Sequence, residues 1–182
     1  MKTDVTKKLE KLLERHFVDR REFFVFECTV GWYGKEIADC IMYDTNREIW
    51  CFEIKSSVAD FHSSAALTFI GNKNYFVMPQ EVYEQVKFEI PIGIGVYIAT
   101  GGAKKLTAPT PLGKEYSVQW LPGFYKLHCI QQCRRRDLRA DKEVILSSML
   151  RSMQRDVFRG SRFAWTDDVE LDKHMADGAD YE

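Results

Sequence analysis

Apolar residues near the start of the chain recur at three- and four-residue intervals, and the period then changes. Val5, Leu9, Leu12, Leu13 and His16 fall on one stripe between charged positions, which predicts an amphipathic helix over residues 4–17. Strand-like runs follow over residues 23–30, 35–43 and 49–56. Gly31-Trp32-Tyr33-Gly34 and Asp44-Thr45-Asn46-Arg47-Glu48 separate them, and both are turn-forming clusters, so the runs read as an antiparallel meander. A short helix is expected from Val58 to about Leu67, then a strand over 74–78 closed by Pro79, which has no N–H to give a ladder. Residues 80–88 read as another short helix and 92–99 as a buried strand ending at Gly101-Gly102. Periodicity weakens over 104–119, where Pro109 and Pro111 suggest a loop or an edge hairpin. A closing helix is expected over 141–158, where Val144, Ile145, Met149, Met153 and Val157 recur at helical spacing.

Helix, meander, helix, strand, helix, strand is the order of an α/β domain with a mixed central sheet and a C-terminal helical addition. A chain of 182 residues, 45% hydrophobic and 13% aromatic, can bury one core of that kind. Residues 1–160 are therefore expected to form a single domain. Residues 161–182 carry Asp167, Asp168, Glu170, Asp172, Asp177, Asp180 and Glu182 and read as an acidic, flexible tail.

Charge alters this picture through its distribution. The net charge is only -1, yet residues 103–162 hold 13 lysines and arginines against 5 acids, and residues 163–182 hold 1 against 7. A concentrated basic block can track a phosphate backbone, and it can equally be a solvated helix face. The charged start of the chain lacks the apolar core of a leader, and no later run is long enough to cross a bilayer. Cys28, Cys40, Cys51, Cys129 and Cys133 are odd in number, and the first three lie within apolar stretches, which suits free thiols in a reducing compartment. A cytoplasmic protein without a membrane partner is expected; oligomeric state is open, with a homodimer one option.

The hairpin of the second and third strands brings the chemistry into view. If Tyr43 pairs with Ile49, then Ile41 opposes Cys51, Asp39 opposes Glu53 and Ile37 opposes Lys55, all on one face. The other face, Ala38, Cys40, Met42, Trp50, Phe52 and Ile54, is wholly apolar. Directly opposed carboxylates, with β-carbons roughly 4.5–5.5 Å apart, repel each other. A proton, the nearby Lys55 or a divalent cation can offset that repulsion. Magnesium is commonly held by one or two carboxylates with waters and a substrate phosphate, so Asp39, Glu53 and the Ile54 carbonyl form a plausible half-shell for Mg2+ or Mn2+. Hydrolysis of a phosphodiester is the reaction this group of residues suits, with Lys55 orienting water or stabilising the transition state. An ordinary ion pair between Lys55 and one acid is the structural alternative.

Asp39 with Glu53-Ile54-Lys55 resembles the PD-(D/E)XK nuclease superfamily over residues 4–100. More narrowly, Ile37-Ala38-Asp39, the segment Phe52–Phe61 and Asn74–Pro79 are similar to the MmcB-type family of DNA-repair proteins and related phage proteins. The resemblance implies a restriction-endonuclease-like α-β-β-β-α-β core. It also implies a magnesium-dependent deoxyribonuclease with Asp39 and Glu53 as metal ligands and Lys55 as the catalytic lysine. A further acid would come from the first helix or first strand, with Glu27, Glu10 and Glu14 as candidates. Two departures concern substrate contacts: Glu36-Ile37 stands where relatives carry a basic pair, and Ser63–Leu67 replaces an acidic and Lys-Trp segment. Under this reading Lys35, His62, Arg134, Arg135, Arg136 and Arg139, with Lys142, Arg151 and Arg155, form a candidate phosphate-contact surface, and Trp32 and Tyr33 can stack on a base. His128-Cys129-x-x-x-Cys133 lacks the fourth ligand of a zinc site. DNA repair, recombination or phage DNA processing is the expected setting, and a non-cleaving DNA-binding or interaction module of the same fold is the alternative.

Overall fold

The computed structural model describes residues 2–20, 22–31, 36–63, 67–110 and 113–176, the side chains of 19, 102–125 and 160–176 excepted. In chain order the elements are α1 (Asp4–Arg20), β1 (Phe23–Thr29), β2 (Ile37–Tyr43), β3 (Ile49–Ile54), α2 (Val58–Phe61), β4 (Lys73–Pro79), α3 (Gln80–Val86), β5 (Gly95–Thr110), β6 (Gly113–Gln131) and α4 (Lys142–Ala176). The strands form one six-stranded mixed sheet in sequential order. β1, β2 and β3 pair antiparallel, β3–β4 and β4–β5 pair parallel, and β5–β6 pair antiparallel. The parallel steps need crossovers, which the segments containing α2 and α3 provide. The expected α/β class with a mixed sheet is observed. Among the described residues no helix is long and apolar enough to cross a membrane.

Two apolar layers explain why the sheet is buried on both faces. Leu9, Leu12, Leu13 and Phe17, one stripe of α1, pack on Cys40, Met42, Phe52, Ile54, Tyr75, Val77 and Tyr97. On the other face Ile145 and Met149 of α4 cover Val25, Ile41, Ile49 and Cys51, while Val82 and Val86 of α3 cover Phe76, Met78, Val96 and Ile98. Close packing makes one glycine obligatory: a β-carbon on Gly95 would lie 2.3 Å from the Tyr75 ring.

The structure departs from the sequence expectations in three places. α2 ends at Phe61, short of Leu67, and residues 67–72 instead run irregularly back along β3. Polar side chains hold that return: Asn74 bonds both the N–H and the C=O of Gly71, and the Ile49 N–H donates to Asn72 Oδ1 at 3.0 Å. α4 continues past Phe158 to Ala176, so most of the acidic tail is helical, with 177–182 outside the described residues. Of the two forms expected for 104–119, a loop or an edge hairpin, the chain takes the hairpin, within the long β5–β6 pair. Finally, Ala38 packs in the cluster under α4 while Cys40 packs in the cluster under α1, so the single apolar face expected for β2 does not extend to Ala38. Beside it in β1, Glu27 takes a φ of 49°, in the left-handed region, between the Phe26–Cys40 and Cys28–Ala38 pairs.

Candidate functional site

The β2–β3 hairpin follows the register expected from its turn: Tyr43 with Ile49, Met42 with Trp50, Ile41 with Cys51 and Cys40 with Phe52. Beyond Cys40 and Phe52 the ladder opens. The Ile54 N–H donates instead to Asp39 Oδ2 at 2.8 Å. An extended residue turns its N–H and C=O to the same edge, so the Ile54 carbonyl points towards the same gap. Asp39 thus completes β3 with a side chain where β2 no longer offers backbone. Glu53 accepts from the Thr68 N–H at 3.0 Å, a bond supplied by the return segment over β3. Each carboxylate uses one oxygen in this way, and the second oxygen of each makes no hydrogen bond to the described residues.

Lys2, Thr6 and Glu10 from the start of α1 join Ile37, Asp39, Glu53, Ile54, Lys55 and Asp60 around a cavity of about 260 Å³. Glu53 and Lys55 are each only 4% exposed. Burial, reinforced by the Asp39 charge, pushes the Glu53 carboxyl up to about 8, so at neutral pH it is mostly protonated. Asp39 is raised as well, again chiefly by burial, with the Ile54 N–H and Lys55 opposing the shift. Lys55 forms no ion pair with either acid; its ammonium bonds the Asp60 carbonyl at 3.4 Å. The ordinary ion-pair reading of Glu53 and Lys55 therefore fails.

Asp60 is a functional candidate that the residue pattern contained but the sequence reading passed over. Its N–H donates to Ser57 Oγ at 3.1 Å, and its carboxylate accepts from the Ser56 N–H at 2.8 Å and the Ser56 hydroxyl at 3.0 Å. The Ser57-x-x-Asp60 spacing is close to a capping box, and it fixes the start of α2 directly below Lys55.

Of the three acids considered as a further ligand, the structure brings Glu10 to the cavity. Glu27 lies outside its lining, half-exposed, and Glu14 lines a separate groove between α1, β1 and α4. Lys2 joins Glu10 to Glu27, at 2.5 and 2.8 Å, and the Glu27 carboxyl is lowered by that bond. Among the described residues no group of three or more His, Cys, Asp or Glu side chains converges as a metal site. Asp39 and Glu53 can supply only part of a coordination shell. That matches how magnesium is held, with waters and substrate oxygens completing the octahedron, and does not match a closed zinc site.

No family model and no curated protein matches this chain. One solved structure does, the SPO1766 protein of unknown function from Silicibacter pomeroyi, with a TM-score of 0.61 and 16% identity over 86% of this chain and 91% of that one. At that identity the likeness concerns the fold alone.

The basic candidates do not converge on the cavity. Arg134, Arg135 and Arg136 follow β6 and lie against Gly93, Glu48, Asn72 and Phe69, near the beginnings of β3, β4 and β5. Glu48 and Glu53 are five residues apart along β3, roughly 16 Å at strand rise. Arg136 is committed to the Phe69 carbonyl at 2.5 Å, and the backbone of Arg139 bonds Ile70. Arg155 bonds the carbonyls of Phe26 and Glu27 at 3.2 Å each, which caps the irregular edge of β1, and Lys142 bonds the Arg47 carbonyl at 2.7 Å. His62 pairs with Glu89 at 2.8 Å between α2 and α3, away from the cavity lining. Lys35, Trp32 and Tyr33 lie outside the described residues. Cys129 and Cys133 are free thiols, as are Cys28, Cys40 and Cys51.

Proposed function

We propose that the chain is a divalent-metal-dependent nuclease of the PD-(D/E)XK type that hydrolyses DNA phosphodiester bonds at Asp39, Glu53 and Lys55. The observation that carries this reading is a buried Glu53 and a half-buried Asp39, each with an oxygen left over, beside a buried lysine that pairs with neither. Burying charge in this state costs stability unless a cation or a proton joins it. A function that needs a cation at that point explains its retention.

Asp39 and Glu53, with the Ile54 carbonyl on the same edge, would hold Mg2+ or Mn2+, and Glu10 could reach it through a water. The bound ion supplies neutralisation of phosphate charge and a more acidic water. Lys55 stabilises the negative charge that develops on the phosphorus oxygens, in a site dry enough for that charge to count. Asp60 positions Lys55 through its carbonyl and anchors the turn through its carboxylate. The resemblance of Asp39 and Glu53-Ile54-Lys55 to the superfamily, and the helix-meander-helix-strand order through β4, support the same reading.

A non-cleaving DNA-binding module is the second reading, favoured by the same absence of a third converging acid among the described residues. Labelled single-stranded, duplex and branched DNA incubated with Mg2+ or Mn2+ separates the two. The wild type should cut at least one substrate, and Glu53→Gln and Lys55→Ala should each lose at least ~10³-fold. A wild type that binds these DNAs but cuts none, with both variants binding equally well, would transfer the conclusion to the binding module.

A further inference from the structure

β5 and β6 continue well past the sheet that they complete. β5 pairs with β4 only from Gly95 to Ala99, whereas its pairing with β6 resumes after an irregularity at Thr100–Gly102 and runs to Thr110 with Gly113. The stretch from Ala99 to Thr110 spans roughly 35 Å at strand rise. Over this length the two strands pair only with each other.

Its direction follows from the parallel pairings. Ile54 of β3 is level with Val77 of β4, and Val77 with Tyr97 of β5. β3 and β5 run the same way, so the ribbon leaves the sheet at the end where Glu53 and Lys55 sit. Its base stands two strand spacings from β3, roughly 10 Å. The arginines of residues 134–136 are at the other end, so of these two basic stretches the ribbon is the one on the cavity side, where Arg151 and Arg155 of α4 bond the backbone at the far edge of the sheet. Residues 100–126 contain Lys104, Lys105, Lys114 and Lys126 against Glu115 alone, with Tyr116, Trp120, Phe124 and Tyr125 among them. In the register Lys104 and Lys105 pair with Gln119 and Val118, and Lys114 with Pro109, which puts cationic positions towards both the base and the tip.

We infer that the β5–β6 ribbon is a duplex-DNA arm, which enters a groove beside the phosphodiester presented to Asp39, Glu53 and Lys55. This rests on the nuclease reading for the identity of the substrate. A two-stranded ribbon fits the B-DNA major groove, and lysines along it replace condensed counterions at the phosphates. The ribbon therefore supplies affinity and orientation at the end of the sheet opposite Arg134, Arg135 and Arg136.

Duplex binding followed by fluorescence anisotropy in EDTA, across a salt series, tests the arm without any cleavage. Replacing Lys104, Lys105 and Lys114 by alanine should weaken binding at least tenfold at 100 mM salt and flatten the slope of log K against log salt by about 3. A second variant, with residues 103–120 replaced by a two-residue Asn-Gly turn, should lose at least as much affinity while keeping the wild-type melting temperature within a few degrees, because the pairing of Val96–Thr100 with Lys126–Gln131 is retained. Unchanged affinity and slope in both folded variants, or a wild type that binds no duplex, would overturn the inference. A wild type that binds duplex through the ribbon yet cuts nothing in Mg2+ would overturn the nuclease reading and leave the arm standing.

Discussion

The two ends of β3 each carry a glutamate near basic side chains, and they use them in opposite ways. At the turn end Glu48 is pinned by Lys73 at 2.7 Å and Arg135 at 2.5 Å, and those bonds hold its carboxyl below the usual range. Asp44 beside it accepts from the Glu48 N–H at 2.8 Å and the Trp50 indole at 2.9 Å, so the turn's polar groups are well matched. At the cavity end Glu53 lies deeper, faces Asp39 and lacks an ion-pair partner. One arrangement fastens a turn. The other relieves an electrostatic cost by holding a proton, and natural sequences tolerate such local conflicts chiefly at functional sites.

The comparison can be broken most severely through cleavage. Glu53→Gln should lose at least ~10³-fold in metal-dependent DNA hydrolysis, while Glu48→Gln should stay within about twofold of wild type, since only the first touches the reacting group. Equal losses in both would remove the distinction between the two ends.

Stability should move in the reverse direction. Because the folded-state pKa of Glu53 is raised, the native chain binds more protons than the unfolded chain between the ordinary carboxylate range and about 8. The stabilising contribution of that proton is present at low pH and is lost as pH rises through this window. Thermal melts should therefore show Glu53→Gln gaining on wild type from pH 5 to pH 8, by on the order of 3 kcal/mol or roughly 6–12 °C. A constant difference across that range would contradict the raised carboxyl. At the other end Arg135→Ala should change stability little, with a loss that shrinks in acid as Glu48 is protonated.

The smallest effect is expected at Lys2, which spans Glu10 and Glu27 beside the cavity as a tethered cation. Lys2→Ala should raise Mn2+ affinity by about two- to fivefold, the scale of one partly exposed ion pair, as read by calorimetry. A weakened affinity would mean that Lys2 supports the site instead of competing for it.

Much of this arrangement could be read from residue order. The turn residues Asp44–Glu48 and the alternation of β2 and β3 were enough to set Tyr43 against Ile49, and the observed register agrees through Cys40 and Phe52. The ladder stops at the next step, beside a neighbouring strand in which the non-glycine Glu27 takes a left-handed conformation that no alternation pattern reports. The arginine-rich run was visible as charge, but composition cannot tell one end of a sheet from the other, and its backbone bonds to Asn72 and Ile70 were decided by the fold. Pro109 and Pro111 left the arm open between a loop and a hairpin, and the acids after Phe158 hid a helix that continues to Ala176. Asp60 was legible as a capping residue through Ser57, though its place beside Lys55 came only with the packing of α2.

The most direct test of the unpaired acids as a cation site is titration of Mn2+ into the wild type at pH 7 by calorimetry, repeated in buffers of different ionisation enthalpy. Glu53 must give up its proton to become a ligand, so binding should release close to one proton per protein, and Glu53→Gln should abolish both the heat and the release. Binding with no proton release, or no difference between wild type and Glu53→Gln, would contradict the site.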